Sequence, residues 1–529
     1  MKQSLSARVP VFRSLQVLCS PATQAATRLT AMLERRYREV QSRSELMLLP
    51  PCMDDYVSEH NPVRAIDAFV GTLDLEALGF RHAEEHCGAG QPAYDPGLLL
   101  KLYLYGYQHR VRSSRRLEAE TRRNLEVIWL CQGATPSYKT IADFRKSNAS
   151  ALRSANREFI VLCRELSLLE GRRVAIDGTF LKANANADSI HTKASLGKGL
   201  KRLDEKIAEY HRQLDEADAG SEDGADSGED PELAAKIEAQ VERRKHQQSL
   251  RESLQASGES QISEVDPDAR VLRKSGRTVG GYNCQIAVDD RYKLIVAEDV
   301  VQDGNDAGQL EPMMTKAGEA MGAERLTGLA DAGYFSGEQL KVCEDKGLDV
   351  YVPIRRHPPR RDKGDVMRFS RDDDFRYDAR NDTYVCPAGH WLTRRGSPRI
   401  KEGKRYFRYS AVTAVCRDCS LRDRCLTKSQ SRRRMDRWEH EDVIDRHRRK
   451  MSAGAPWMRQ RAALVEHPFG TIKRWAGMDH FLMRGLEKCR GEFSLMTLGY
   501  NFKRVMNELG AAAFRAHCLQ KQQTGMISA

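Results

Sequence analysis

Hydrophobic positions change period several times along the chain, and each change marks an element. From 46 to 168 the pattern is mostly helical. Leu98, Leu99, Leu100, Leu102, Leu104 and Tyr105 form a rich apolar run, and Ile141 and Phe144 repeat at helical spacing after a Ser137 start signal. Short β-type runs follow. They predict strands at 174–176, at 282–288 and 293–300 around the Asp289-Asp290 turn, at 326–330 and at 348–352, with a helix at 336–346. Three antiparallel strands followed by β-α-β is the expected order. Leu200, Leu203, Ile207, Tyr210 and Leu214, then Leu233, Ile237, Val241, Leu250 and Leu254, predict two helices at 196–258. The acidic, Gly-rich stretch 220–230 separates them, so a helical hairpin is expected, with a coiled-coil seam as its alternative.

Two of the short apolar runs end on an aspartate with a glycine at once or one residue later: Val174-Ala-Ile-Asp177-Gly178 and Leu329-Ala-Asp331-Ala-Gly333. Each reads as a strand delivering a carboxylate to its carboxyl end, where α/β sheets gather ligands. A third carboxylate, Glu466, lies in a helical pattern with Leu464, Phe469 and Ile472. Lys473 follows seven residues later, two helical turns on, so both can face one site. Hard divalent cations take oxygen ligands, and phosphoryl transfer uses two such cations about 4 Å apart. Asp188, Asp299, Asp303, Asp306, Glu439 and Glu441 compete for the same role; Asp303-Gly304-Asn305-Asp306 also reads as a plain turn.

Cysteines give a second signal. Cys386-Pro-Ala-Gly389 reads as a knuckle-like turn, and Cys416, Cys419 and Cys425 follow. Four thiolates on tight turns make a closed structural Zn²⁺ site, with His390 as a possible substitute ligand. The thirteen cysteines are an odd count and form no disulfide framework, which suggests a reducing cytosol.

Charge narrows the partner class. The net charge is +12, which suits a polyanion, and no window reaches a membrane span. Basic residues cluster at Lys139, Arg145 and Lys146, at 355–361, and from Arg432-Arg433-Arg434 to Lys450. The first cluster sits on a predicted helix that reads either as the solvated face of an ordinary helical bundle or as one that enters a DNA groove; Arg433 and Arg434 read as phosphate clamps or as a solubilising surface. Residues 1–31 are basic and Ser/Ala-rich with no acidic residue, a composition shared by transit peptides and by an upstream extension of a chain whose natural start is Met32.

At these residues the chain resembles bacterial insertion-sequence transposases with an RNase H-like catalytic core and a DDE triad. Leu49-Pro-Pro, Thr140-Ile-Ala-Asp-Phe-Arg145, Ile176-Asp-Gly-Thr, Gly281-Tyr-Asn-Cys-Gln285, Ala330-Asp-Ala-Gly-Tyr334 and Val465-Glu-His-Pro-Phe-Gly470 occur in that family's order, over about 32–509. One departure is that Arg461 precedes Glu466 by five positions where many members have four. The resemblance implies an α/β RNase H-like mixed sheet with four attachments: a helical DNA-binding domain (46–168), the helical hairpin inside the first core segment (169–355), a cysteine-rich zinc insertion (356–430), and a closing core segment (431–509) before a 510–529 tail. A basic leader (1–45) precedes them. It further implies a catalytic set of Asp177, Asp331, Glu466 and Lys473, with two Mg²⁺ or Mn²⁺ per site. Arg461 joins Lys473 as a candidate phosphate contact. The implied partners are terminal inverted repeats and target DNA, bound by a dimer or larger assembly in the bacterial cytoplasm. Two other readings stay open: an inactive transposase serving as a DNA-binding module, and an RNase H-like nuclease that does not join strands.

Overall fold

Long apolar strands organise the molecule. The computed structural model describes residues 52–83, 92–219, 231–274, 276–323, 325–354 and 368–528. The basic leader with its Met32 start, the acidic stretch 220–230 and the basic run 355–361 lie outside them. Two compact units divide the chain, Met1–Tyr56 and Val57–Ala529. In the first, the described residues hold a single 3₁₀ turn, Met53–Tyr56.

The second unit opens with helices α1 (Pro62–Val70), α2 (Pro96–Gln108), α3 (Ser114–Arg123), α4 (Leu125–Leu130), α5 (Tyr138–Ser147) and α6 (Ala149–Glu165). Asp95 and Ser137 cap α2 and α5, each side chain accepting a backbone N–H of the first turn. The Leu-rich run predicted from sequence is the buried body of α2, including Leu99, Leu100, Leu102 and Leu104.

The main sheet has six strands. These are β1 (Arg173–Lys182), β4 (Arg270–Lys274), β5 (Arg277–Asp289), β6 (Ile295–Val301), β7 (Thr327–Leu329) and β8 (Asp349–Tyr351); β2 (Ile190–Thr192) and β3 (Gln261–Ser263) pair separately. Strand order is β4-β5-β1-β7-β8, with β6 also on β5. β5 is long enough to pair with β4 over its first half and β6 over its second. β1 runs antiparallel to β5 and parallel to β7, and β7 runs parallel to β8. The predicted three antiparallel strands and β-α-β are therefore present; β4 and the β2–β3 pair had no clear apolar signal. Val174, Ala175, Ile176, Tyr282, Cys284, Ile286 and Val288 are fully buried. Each large apolar side chain so placed contributes about 1.5–3 kcal/mol.

One expectation needs correction. β1 does not end at Asp177 and turn at Gly178; it continues to Lys182, with Gly178 paired to Gln285.

Helices α7 (Lys193–Ala219) and α8 (Pro231–Ser257) form the expected hairpin, with Arg244 of one bonded to Asp204 of the other. Helices α9 (Leu310–Met321) and α10 (Gly337–Asp345) follow β6 and β7. A second six-stranded sheet, all antiparallel, takes five strands from the cysteine-rich insertion and one from just beyond it. It is built from β9 (Arg376–Asp378), β10 (Thr383–Val385), β11 (Trp391–Arg394), β12 (Arg399–Lys401), β13 (Lys404–Ser410) and β14 (Arg434–Trp438), in the order β12-β13-β11-β10-β9 with β14 on β13. Its strands are too short and too rich in Arg and Tyr to show a period-2 apolar signal. The chain closes with α11 (Glu441–Ser452), α12 (Ala455–Phe469), a π-helical turn (Gly470–Trp475), α13 (Leu486–Leu509) and α14 (Ala511–Ser528). Among the described residues no helix is long and apolar enough to cross a membrane.

Candidate active site

Register brings the first two predicted carboxylates together. Ala175 of β1 pairs with Leu329 of β7, the last residue of that strand. Asp177 and Asp331 each lie two residues beyond that last pair, Asp177 still on β1 and Asp331 on the turn after β7, and both carboxylates act on the Tyr334 phenol. Because β7 stops, the flank of β1 at Asp177 is open to the turn that carries Asp331. Asp331 caps the 3₁₀ turn Ala332–Tyr334, its Oδ1 accepting the Gly333 N–H at 2.7 Å. The Oδ1 of Asp177 accepts the Gly178 N–H at 2.8 Å.

Cationic groups reach the same strand from α12 and the turn after it. Arg461 of α12 places Nη1 3.5 Å from Asp177 Oδ2, buried and without a hydrogen-bond acceptor. Lys473 donates to Thr179 Oγ1 and to the Phe180 carbonyl, both at 2.9 Å. Thr179 shares a face of β1 with Asp177, so Lys473 reaches the face of the strand that carries the carboxylate.

Glu466 is placed differently. It is exposed and lines a cleft of about 430 Å³ with Tyr107, Trp475, Tyr500 and Lys503. The reason is helical phase: Glu466 lies five residues after Arg461, about 140° further round α12. The stretch between Glu466 and Lys473 is not two plain α-turns. Lys473 lies on the π-helical turn Gly470–Trp475, whose wider winding changes the phase. Among the described residues, no group of three or more His, Cys, Asp or Glu side chains stands in metal-holding geometry. The donor chemistry at Asp177 and Asp331 nonetheless fits a hard divalent cation. Both carboxylates lie within electrostatic reach of Tyr334, and a guanidinium already balances one of them.

The sequence marks the polar residues around this pair only as a competing carboxylate, Asp306, and as members of the quoted phrases, Asn283, Gln285 and Tyr334. Tyr334 is fully buried, and its hydroxyl donates to Gln285 Oε1. Burial first, then Asp306, Asp177 and Asp331, push this phenol well above its ordinary range. Gln285 Nε2 donates to Asp306 Oδ1 at 2.7 Å, and Asn283 Nδ2 to the same oxygen at 2.8 Å. Gly178 is required here, because a Cβ would lie 2.6 Å from Asp306 Oδ1. The available signal was Asn283 and Gln285, two polar residues on one face of an otherwise apolar strand.

The four cysteines also converge. Cys386, Cys416, Cys419 and Cys425 line one cavity of about 30 Å³ with His390 and Arg433. The knuckle-like turn is present: Gly389 has φ +80°, and the His390 N–H donates to Cys386 Sγ at 3.3 Å. All four are free of disulfides. Burial raises the Cys425 thiol, Arg433 opposes this, and Cys416, Cys386 and Cys419 add to the rise. A soft four-sulfur donor set fits zinc by its chemistry, although the thiols are not drawn together in ligating geometry.

Three predicted DNA contacts, Lys139, Lys146 and Arg434, are exposed. Arg145 is not: it is 5% exposed, bonds Tyr107 Oη and the Arg112 carbonyl at 3.4 Å, and pairs with buried Glu492 at 3.9 Å. It lies one turn beyond Ile141, on the inner face of α5, and cannot read bases there. Arg433 is also engaged internally, donating to the Cys425 carbonyl at 3.1 Å and lying 4.8 Å from the Phe375 ring centre. Arg461 faces Asp177 rather than an open surface.

Two families match the chain. Residues 51–147, the front helices, match a transposase domain (DUF772). Residues 385–506, which include the cysteine cluster, Glu466 and Lys473, match a transposase DDE domain. Asp177 and Asp331 lie between the two matched segments. No curated protein matches the chain. With a transposase domain in its front helices and a transposase DDE domain around Glu466, the chain is an insertion-sequence DDE transposase.

Proposed function

We propose that this transposase cleaves DNA strands at the terminal inverted repeats of its element and joins the freed 3′-hydroxyls to target DNA. The observation that supports the reading is that Asp177 and Asp331 follow the last β1–β7 pair by two residues each and both act on the buried Tyr334 phenol. The strand order β6-β5-β1-β7-β8, three antiparallel strands then two parallel ones, supports an RNase H-like core. Asp177 and Asp331 would hold Mg²⁺ or Mn²⁺, two ions per site. Glu466 is the one carboxylate on α12, the helix that reaches Asp177 through Arg461, and is the third ligand in this reading. A divalent cation bound there supplies positive charge for the attacking and leaving oxygens of a phosphodiester.

The chain's own residues do the rest. Arg461 balances Asp177 from α12, its Nη1 3.5 Å from Asp177 Oδ2. Lys473 anchors the π-helical turn to β1 and presents a point charge beside the scissile strand. Lys139, Lys146 and Arg434 add exposed charge for duplex DNA. In the insertion, Cys386, Cys416, Cys419 and Cys425 would hold one structural Zn²⁺, whose four thiolates leave no open position for chemistry. The protein would act as a dimer or larger assembly on DNA in the bacterial cytoplasm, at the nucleoid.

The test uses end-labelled duplexes carrying the inverted repeats that flank the gene, with a target plasmid and Mg²⁺ or Mn²⁺. Nicked and then joined product is expected. Cut-only product would make the protein an RNase H-like nuclease. Binding without cutting would make it a DNA-binding module.

A further inference from the structure

Asp306 sits in Asp303-Gly304-Asn305-Asp306, a stretch that reads as a plain turn. Other atoms hold that turn. Asn305 Oδ1 accepts the Ala307 N–H at 3.1 Å, and the Asp306 backbone carbonyl accepts the Gln309 N–H at 3.0 Å. The Asp306 carboxylate instead reaches across to the sheet. Its Oδ1 takes both Gln285 Nε2 and Asn283 Nδ2, at 2.7 and 2.8 Å. Asp306 is 7% exposed, and Asn283, Gln285 and Tyr334 are fully buried. A buried carboxylate is costly unless well bonded, and a plain turn needs none.

The line of bonds leads to the active site. Asp306 fixes the amide end of Gln285, which leaves Gln285 Oε1 pointing one way, toward the Tyr334 hydroxyl. Tyr334 ends the short turn that Asp331 caps. Asp306 Oδ2 and Asp331 Oδ1 lie 3.5 and 2.8 Å from the point where Gly333 would carry a Cβ, so the two carboxylates flank that glycine.

We propose that Asp306 is a positioning residue of the Asp177–Asp331 centre, acting through Gln285 and Tyr334 to hold the Asp331 turn against β1. This rests on the reading of Asp177 and Asp331 as the reacting pair. A fixed amide cannot rotate, so Tyr334 keeps one donor direction and the turn keeps one seat. Releasing Gln285 would let the turn drift, and a misplacement of about 1 Å at a reacting group costs on the order of 100-fold in rate.

Three variants test it in the full-length protein: Asp306→Asn, Asp306→Ala and Tyr334→Phe, with Asp331→Asn as reference. The Asp306→Asn change keeps an oxygen that can accept from both amides, so D306N should cleave within about 3-fold of the native rate. D306A should lose on the order of 100-fold in kcat with KM for DNA unchanged. In metal-free protein, amide exchange of the segment 331–335 should quicken in D306A and Y334F but not in D306N. Native exchange and native kcat in D306A would overturn the proposal. So would a D306N protein as inactive as D331N and equally weak in Mn²⁺ binding by calorimetry, since Asp306 would then be a ligand. Should D306A not fold, Y334F decides, and unchanged kcat and exchange there overturn it. Cleavage surviving in D331N would sink the reading of the centre itself, independently of what Asp306 does to the exchange rates.

Discussion

The two six-stranded sheets are stabilised in opposite ways. The main sheet buries long apolar strands on both faces: 281–289 of β5 is buried without a break. The insertion sheet has a core of six buried residues, Phe375, Tyr384, Leu392, Tyr409, Ala411 and Met435. It supplements them with arginines over rings, Arg437 over Tyr377 and Arg394 over Phe407, both 3.6 Å from the centroid. Trp391 and Ile400 on it remain 62% and 80% exposed. The difference teaches what each sheet can tolerate. A sheet fixed by apolar burial can carry adjacent carboxylates at an interrupted flank, which favours chemistry. A sheet with so small a core needs a staple, and the four cysteines at its end supply the atoms for one.

If that comparison holds, removing charge from the main sheet should change chemistry and not folding. Asp177→Asn and Asp331→Asn should each lower strand cleavage on the order of 1,000-fold. Duplex binding should stay native; the thermal midpoint should stay near native in Asp331→Asn and fall slightly in Asp177→Asn, which leaves Arg461 without its counter-charge. Glu466→Gln should match them in cleavage. Filter binding, cleavage gels and melting curves on one preparation read all three. A mutant that unfolds would mean the carboxylates hold the sheet together, and the contrast between the two sheets would collapse.

Next in size is the buried ion pair that joins the front helices to α13. Arg145 and Glu492 are 6% and 0% exposed, and Arg112 also approaches Glu492 at 3.7 Å. Glu492 accepts the Leu482 and Met483 N–H groups at 2.9 Å. Arg145→Ala should therefore cost about 1–3 kcal/mol, because Glu492 loses one charged partner but keeps Arg112 and two backbone N–H groups. Arg434→Ala, on the exposed edge, should change stability by less than about 0.5 kcal/mol. Urea unfolding gives both; equal effects would show that Arg145 is better solvated than its burial indicates.

Smaller and local is the expected effect of Cys419→Ser. Purified protein should carry about one Zn²⁺ per chain by elemental analysis. The variant should lose it and become sensitive to trypsin within 376–438, while the main sheet stays resistant. Zinc-free native protein with a resistant insertion would mean that rings and arginines suffice.

How legible was this in the sequence? The buried runs ahead of Asp177 and Asp331 were, because a short apolar stretch is a local signal. The gathering of the four cysteines around one cavity was legible by spacing. The strand that runs through Asp177 was not, because Gly178 reads as a turn unless one knows that Gln285 and Asp306 occupy the space of its Cβ. Arg145 was misjudged for a similar reason: its partner Glu492 is 347 positions away, and nothing local marks the arginine as buried. The facing of Glu466 depends on helix phase and that of Lys473 on a π-turn, neither of which residue types announce. Long-range pairs and winding defects are the parts a one-dimensional pattern omits.

The smallest effects expected are on the surface, and they refine what the front helices do. With Arg145 buried, α5 offers Lys139 and Lys146 to a duplex. They are seven residues apart, so they lie on one face about 10 Å from each other. Lysine is a compact point charge without the planar fork that pairs with guanine. Contacts of that kind fix register on the phosphates and carry little sequence information. Lys139→Gln and Lys146→Gln should therefore weaken repeat and scrambled duplexes by the same few-fold factor. Each should reduce the slope of log affinity against log salt by about 0.9. Arg434→Gln should behave alike, since it too is an exposed charge on a sheet edge. Paired titrations at two salt concentrations separate the possibilities. If a lysine change erodes only the preference for the repeat, α5 enters the groove after all, and sequence reading belongs to the front helices through lysine contacts rather than through the buried arginine.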